Sequence, residues 1–169
     1  MSNNSIQLTT IDLFKENMKF SVGHFTIFSA TDRERLHGHN FNVNVSIIAE
    51  VDHNGMCFDY GIYKSLVEKL CRSWNEYFIL PKRSPHLTLI EKGQNIYARF
   101  NGEDIPFLKS DVLILDIRNS TVEEFSDLIM RELTANNSQI QEHKIHALEV
   151  KVFSGPGQSA SAKCNFLQL

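Results

Sequence analysis

The chain has 169 residues, of which 42% are hydrophobic and 22% charged, and this composition is typical of a globular domain with its own core. A net charge of -3 gives no electrostatic basis for binding nucleic acid or an anionic membrane. There is no apolar run of membrane-spanning length and no signal-peptide pattern, and three widely spaced cysteines favour reduced thiols, so we expect a cytoplasmic protein.

Two strands are predicted in the first third of the chain, after a weakly patterned segment at residues 1–15. Residues 18–28 form the first strong strand pattern. Residues 41–51 predict the second, because apolar and polar side chains alternate strictly at its start, as in a half-buried strand. The charged loop 29–35 connects them.

A helix is predicted next, after a turn at residues 52–55. Its apolar stripe has helical spacing and consists of Tyr63, Leu66, Val67, Leu70 and Trp74. Asp59 precedes the first turn and is a candidate N-cap. The helix is expected to end before Pro81.

The pattern breaks up over residues 81–116. Two short strand-like runs, 87–90 and 96–100, flank a Lys-Gly-Gln-Asn turn and predict an inserted hairpin. Another apolar run follows at residues 111–117.

A second helix and two strands complete the chain. Residues 119–123 are typical of a helix start, with a hydroxyl or amide cap and an acidic first turn. Residues 135–141 form a polar connection. Alternation predicts a strand at 147–153, and residues 159–169 are predicted to be the closing strand.

This order of elements predicts a two-layer α+β domain, an antiparallel sheet with helices on one face. We expect one domain over residues 1–169, with 1–15 as an N-terminal extension and 81–116 as an insertion. Such a sheet has open edges, which oligomerisation commonly covers.

A histidine pair lies where the second strand begins. His37 and His39 are two residues apart, so in a strand their imidazoles point to one face. Pairing of the two strands as a hairpin would bring His24 alongside them. Three neutral imidazoles suit zinc and leave a coordination position open for water or substrate. Alternatively, the pair lies on the surface or closes a turn without binding a metal.

Four motifs in fixed order carry a resemblance to a known family. They are Phe20-Ser21-x-x-His24, Arg-Leu-His-Gly-His-Asn at 35–40, Gly-Met-x-Phe-Asp-Tyr-Gly at 55–61, and Thr121-x-Glu123. From about residue 18 to the C-terminus, the chain resembles the 6-pyruvoyl-tetrahydropterin and 6-carboxytetrahydropterin synthases.

The resemblance implies a T-fold, in which a four-stranded antiparallel sheet carries two helices on one side. It implies trimers that close into a barrel, or hexamers of two stacked trimers, with pterin sites between subunits. It also implies that His24, His37 and His39 bind Zn2+ and that Thr121 and Glu123 contact the pterin.

The chain departs from the family pattern at four functional positions. Arg33 stands where active members carry a cysteine base, four residues before the first histidine of the His-Gly-His motif. Trp74 and Asn75 replace a proton-relaying Asp-His pair. Ser154 replaces the glutamate that anchors the pterin ring, and it remains a candidate substrate contact.

Two carboxylates flank the position of the missing cysteine. Some relatives use a glutamate there and cleave the pterin side chain differently, so Glu34 or Asp32 is a candidate base. Arg33 is a candidate contact for an anionic substrate group such as a triphosphate. Alternatively, residues 32–35 form a solvated charged loop.

The sequence thus predicts a zinc-dependent enzyme that acts on a dihydropterin such as dihydroneopterin triphosphate. The reaction would be a carbon-oxygen lyase step or a side-chain cleavage. Two alternatives remain open: a catalytically silent zinc-binding oligomer that binds a small heterocycle, and an enzyme for a non-pterin substrate.

Overall fold

The computed structural model describes residues 6–166. Its strands are β1 (Leu8–Leu13), β2 (Lys19–His24), β3 (His37–Glu50), β4 (Phe78–Pro81), β5 (Thr88–Lys92), β6 (Asn95–Phe100), β7 (Glu103–Leu108), β8 (Val112–Leu115), β9 (Ile145–Phe153) and β10 (Ser159–Asn165). Its helices are α1 (Gly61–Trp74), α2 (Val122–Thr134) and α3 (Asn137–Glu142), with a short 3-10 turn at Lys109–Asp111.

The main sheet has seven strands in the order β10-β9-β3-β2-β4-β8, and β1 pairs with the second half of β3. The four predicted strands correspond to β2, β3, β9 and β10, and the pairings among these four are antiparallel. The predicted total of four antiparallel strands was wrong, because β4 pairs in parallel with both β2 and β8.

The two added parallel strands escaped prediction for a physical reason. β4 and β8 are four residues long and mostly apolar, so they lack the alternation that marks a half-buried strand. Their pairing depends on contacts between distant parts of the chain. The first strand was also predicted too long, since β2 ends at His24 and only an isolated bridge between Ile27 and Arg33 follows.

The insertion is a three-stranded sheet, β5-β6-β7, rather than a hairpin. The missed strand, β7, contains Glu103, Asp104 and Pro106, which disfavour strand structure. Proline is tolerated here because β7 is an edge strand and does not need every amide for pairing. The last three residues of the predicted closing strand lie outside the described residues.

Helices α1 and α2 pack against the main sheet through a shared apolar core. Phe20 and Phe41 from the sheet meet Trp74 and Phe125 from the helices. Tyr60 rather than Asp59 is the N-cap of α1, although the Asp59 carboxylate accepts a hydrogen bond from the amide of Gly61. The short helix α3 occupies part of the predicted polar connection.

A second apolar cluster joins the insertion to the main sheet. It contains Phe25 and Ile27 from the segment after β2, Leu80 from β4, and Ala98 and Phe100 from β6. This cluster supports the charged loop between β2 and β3. Among residues 6–166, no helix is long and apolar enough to cross a membrane.

Candidate active site

The register of β2 on β3 brings the three predicted histidines together. His24 lies directly opposite His37, and His39 lies opposite Val22. Because all three side chains point to one face of the sheet, their ligand nitrogens lie within 4.8 Å of one another. The predicted hairpin pairing and the histidine cluster are therefore confirmed.

Hydrogen bonds determine which ring nitrogens are available as ligands. His24 Nδ1 lies 2.7 Å from the carbonyl oxygen of Ser120, and His37 Nδ1 lies 2.8 Å from that of Arg35. A carbonyl only accepts, so both Nδ1 atoms carry the proton and both Nε2 atoms present a lone pair. The Nε2 of His24 is buried, and no atom of residues 6–166 forms a hydrogen bond with it, as expected for an atom that ligates a metal.

Burial keeps His24 in the neutral form that a metal requires. The side chain is buried, and this burial is the main cause that lowers its pKa. The hydrogen bond to the Ser120 carbonyl and the charge of Glu34 act in the opposite direction, whereas the charges of His37 and His39 lower the pKa further, and the net result is a pKa below the ordinary value. Beneath the cluster, the ring of Phe41 lies 5.5 Å from that of His24 and 5.9 Å from that of His39.

Of the two candidate bases, the structure brings Glu34 to the histidines. The Oε2 atom of Glu34 lies 3.8 Å from Nε2 of His37. It also accepts a hydrogen bond of 2.8 Å from the amide of Thr26. Burial raises the pKa of Glu34, but the hydrogen bonds from Thr26 and the charges of His37 and His24 outweigh it and leave the pKa below its ordinary value.

Asp32 has a different place in the loop. Its side chain is exposed, while its main-chain carbonyl accepts hydrogen bonds from the amides of Phe28 and Ser29. Within residues 6–166, no hydrogen bond or ion pair joins its carboxylate to the three histidines.

Arg33 points away from the histidines toward the second apolar cluster. Its guanidinium carbon lies 5.2 Å from the ring centre of Phe25 and 5.6 Å from that of Phe100. Its Nη1 donates a 2.7 Å hydrogen bond to the main-chain oxygen of Glu34.

Thr121 and Glu123 lie at the start of α2. Thr121 is the N-cap, and its hydroxyl accepts from the amide of Glu124 at 3.5 Å. Glu123 is exposed in the first turn. The preceding residue, Ser120, ties this helix start to His24 through its carbonyl. The predicted cap is confirmed, whereas pterin contact by these two residues stays a prediction.

Ser154 lines a cavity of about 880 Å³ together with His39 and Glu76. Most of this cavity lies on the other face of β2 and β3, because its lining includes Ser21, Gly23, Gly38 and Asn40, which alternate with the histidines and the buried residues. Ser154 thus shares a cavity with His39, whereas His24 and His37 are not among the described residues that line it. Among the described residues, the cavity lining includes neither Thr121 nor Glu123.

Trp74 and Asn75, which were predicted to replace the family's Asp-His pair, have structural roles. Trp74 is buried, with its ring 5.2 Å from that of Phe20. The side-chain oxygen of Asn75 accepts a 2.8 Å hydrogen bond from the amide of Ser21.

The sequence analysis did not single out several residues that support the site. Asn119 donates a 2.8 Å hydrogen bond to the main-chain oxygen of Ile27 and accepts a 3.0 Å bond from its amide. Thr26 holds Glu34, and Ser120 holds His24. Their proximity to a helix start was the only sequence signal for Asn119 and Ser120, since these contacts join residues up to 96 positions apart.

Comparison with known proteins now decides the family. The family model for 6-pyruvoyl tetrahydropterin synthase matches residues 13–164. The chain belongs to this family. A protein of Methanocaldococcus jannaschii with the provisional name 6-carboxy-5,6,7,8-tetrahydropterin synthase is 26% identical over 145 residues, covering 85% of this chain and 88% of the relative.

Solved structures of the 6-pyruvoyl tetrahydropterin synthases of two malaria parasites share the fold. The Plasmodium falciparum protein is 28% identical to this chain, with a TM-score of 0.88. The match covers 94% of this chain and 99% of the P. falciparum chain. The Plasmodium vivax protein is 28% identical, with a TM-score of 0.89, and the match covers 95% of this chain and 99% of the P. vivax chain. Two further structures of the P. vivax protein are described as variants in which a catalytic glutamate is replaced by alanine or by cysteine.

Proposed function

We propose that the protein is a zinc-dependent lyase of the 6-pyruvoyl tetrahydropterin synthase family and acts on a dihydropterin such as dihydroneopterin triphosphate. The observation that carries the proposal is the placement of the Glu34 carboxylate 3.8 Å from His37 Nε2, beside the cluster of three histidines. An acid-base group next to a candidate metal centre is the arrangement that proton abstraction from a substrate in this site would require.

The three histidines fit zinc. The lone pairs on Nε2 of His24 and His37, together with one ring nitrogen of His39, provide three neutral ligands. When bound, zinc supplies Lewis acidity that makes a neighbouring side-chain hydroxyl or C–H of the substrate more acidic.

Glu34 is the proposed base. Its carboxylate accepts the proton from that hydroxyl or C–H, while the amide of Thr26 keeps it oriented. In an elimination, removal of the C–H proton accompanies departure of the triphosphate with the C–O bonding pair. In a retro-aldol cleavage, removal of a hydroxyl proton forms a carbonyl, and the pair from the broken C–C bond moves onto the ring C=N.

The P. vivax variants support this choice of base, since their descriptions name a catalytic glutamate in a protein of the same family. Glu34 lies one position beyond Arg33, where the family's cysteine was expected, and its side chain reaches the histidines while that of Arg33 does not. We therefore favour Glu34 over Asp32 as the base.

We propose that the active site is completed between subunits of a homo-oligomer, a trimer or a hexamer. β8 and β10 end the main sheet, so each presents an edge available for pairing with another chain. Substrate contacts by Thr121, Glu123 and Ser154 remain part of the proposal. Ser154 lines a cavity whose described lining lacks Thr121, Glu123 and two of the three histidines, which supports a contribution from a second subunit.

The test is incubation of zinc-loaded protein with 7,8-dihydroneopterin triphosphate and mass spectrometry of the products. We expect loss of triphosphate or of the side chain, and the product mass distinguishes elimination from cleavage. Glu34→Gln should lower kcat by about 10²–10⁴-fold, the usual contribution of a positioned base. Asp32→Asn, which decides between the two carboxylates, should leave kcat near that of the unmodified protein.

His39→Ala should abolish both zinc binding and turnover. Full activity of Glu34→Gln would refute the base assignment. Unchanged substrate in the presence of bound zinc would favour one of two alternatives. The protein would then be a catalytically silent binder or an enzyme for a non-pterin substrate. The core packing of Trp74 and the serine at position 154 favour these alternatives, because neither supplies a family catalytic group.

A further inference from the structure

The inserted three-stranded sheet contacts the loop that carries Glu34. Phe100, the last residue of β6, belongs to the same buried cluster as Phe25 and Ile27, the residues that follow β2. The insertion therefore provides part of the surface on which residues 25–35 rest.

Arg33 connects this surface to Glu34. Its guanidinium lies over two aromatic rings, with its carbon 5.2 Å from the centre of Phe25 and 5.6 Å from that of Phe100. Both distances are within the range of cation–π attraction, and the second ring is supplied by the insertion. One nitrogen of the guanidinium, Nη1, donates a 2.7 Å hydrogen bond to the main-chain oxygen of Glu34.

The hydrogen bonds of Glu34 show how Arg33 helps to hold it in position. Its amide donates to the main-chain oxygen of Thr26 at 2.9 Å, and its carboxylate accepts from the amide of Thr26 at 2.8 Å. Arg33 secures the remaining main-chain group, the carbonyl. The amide, the carbonyl and one carboxylate oxygen of Glu34 are thus held, which limits the positions its carboxylate adopts beside His37.

We propose that Arg33 and Phe100 are positioning residues, through which the inserted sheet holds Glu34 in place beside the histidines. This inference rests on the proposed function for its catalytic consequence, but its structural part is independent of any substrate. It gives Arg33 a role in orienting the base in place of a role in contacting an anionic substrate.

The experiment compares Phe100→Leu with a matched control, Phe107→Leu. Leucine retains apolar bulk at position 100 but removes the ring face beneath the guanidinium. Phe107 lies in the same inserted sheet and packs on Phe78 with ring centres 4.6 Å apart, so its replacement tests general loosening of the insertion. Hydrogen exchange of the Glu34 amide is measured in the zinc-loaded protein without substrate.

We expect the Glu34 amide to exchange about ten-fold faster in Phe100→Leu, the effect of losing a partly buried cation–π contact, and to be unchanged in Phe107→Leu. With substrate, kcat of Phe100→Leu should fall by a similar factor while KM stays within about two-fold, because a misplaced base impairs reaction rather than binding. Arg33→Lys should retain more of kcat than Arg33→Met, since it keeps the cation.

Equal exchange rates in Phe100→Leu and Phe107→Leu would overturn the proposal, as would a rise in KM with kcat unchanged for Arg33→Met, which indicates substrate contact. The exchange measurement also separates the two proposals. If Glu34→Gln is fully active while Phe100→Leu still accelerates exchange at Glu34, the base assignment fails and the structural support of the loop stands.

Discussion

At the scale of single residues, the strands that carry the histidines are tightly packed against their neighbours. Gly23, next to His24 in β2, is an example. A Cβ atom at this position would overlap Cδ2 of Phe78, whose ring packs against Phe25 and Phe107. The space above Gly23 is therefore already filled by an aromatic ring that packs against two other rings.

We predict that Gly23→Ala destabilises the fold by about 1–3 kcal/mol, the usual cost of overpacking. Urea denaturation with a chelator present measures this cost without a contribution from metal binding. Gly38→Ala is the matched control, because among residues 6–166 its Cβ would approach only the main-chain oxygen of Val22, at 3.4 Å. Equal stability of the two variants would show that the ring of Phe78 adjusts freely.

The sequence revealed the three histidines and the two carboxylates, but it did not distinguish Glu34 from Asp32. Strand periodicity places His37 and His39 on one face, and hairpin pairing adds His24. The choice of carboxylate depends on Thr26 and on the path of a loop that packs on an insertion about 65 residues away, as in the contact of Arg33 with Phe100. Local patterns do not encode such distant contacts.

At the scale of elements, those with a strong local pattern were predicted well. The stripe in α1 and the cap of α2 identified both long helices, whereas β4, β7 and β8 were missed. β4 and β8 are only four residues long, and β4 and β7 each contain a proline, so their formation depends on pairing with other strands rather than on their own sequence.

The N-terminal end of α2 is anchored by a residue that sequence analysis had not assigned a role. The buried carboxylate of Glu124 accepts hydrogen bonds from the amide of Arg118 at 2.6 Å and from its Nε at 2.8 Å. Burial raises the pKa of Glu124, but the hydrogen bonds and charge of Arg118 outweigh this effect and leave the pKa below its ordinary value.

We predict that Glu124→Gln lowers the free energy of unfolding by about 2 kcal/mol at pH 7, the scale of a charge-assisted hydrogen bond. Because the folded pKa is below the unfolded value of 4.5, this stability is present above pH 4.5 and is lost as the pH falls through the folded pKa. Denaturation curves of the two proteins should therefore converge at acidic pH.

The control for this comparison is Glu132→Gln, an exposed position on the same helix. In the described part of the chain, its carboxylate makes no hydrogen bond or ion pair. It should show little change at either pH. A stability difference between Glu124→Gln and the unmodified protein that is constant from pH 7 to acidic pH would contradict the ionised pairing with Arg118.

At the scale of the whole molecule, the histidine cluster joins parts of the chain that are distant in sequence. His24 comes from β2 and His37 and His39 from β3, and the carbonyl that orients His24 belongs to the residue two positions before α2. A metal ion at this point would connect the central strands of the main sheet with one of the two long helices. Because only the folded chain brings these ligands together, metal binding would stabilise the whole structure.

We predict that zinc at one hundred times its dissociation constant adds about 2.7 kcal/mol of stability and raises Tm by roughly 5–10 °C over the chelator-treated protein. His39→Ala should lose this shift, because two remaining imidazoles bind zinc far more weakly. His53→Ala, at an exposed position in the turn after β3, should retain it. Calorimetry with and without zinc measures the shift in Tm of both variants. Equal shifts in the two variants would place the bound metal elsewhere, whereas loss in His39→Ala alone would locate it at the three histidines.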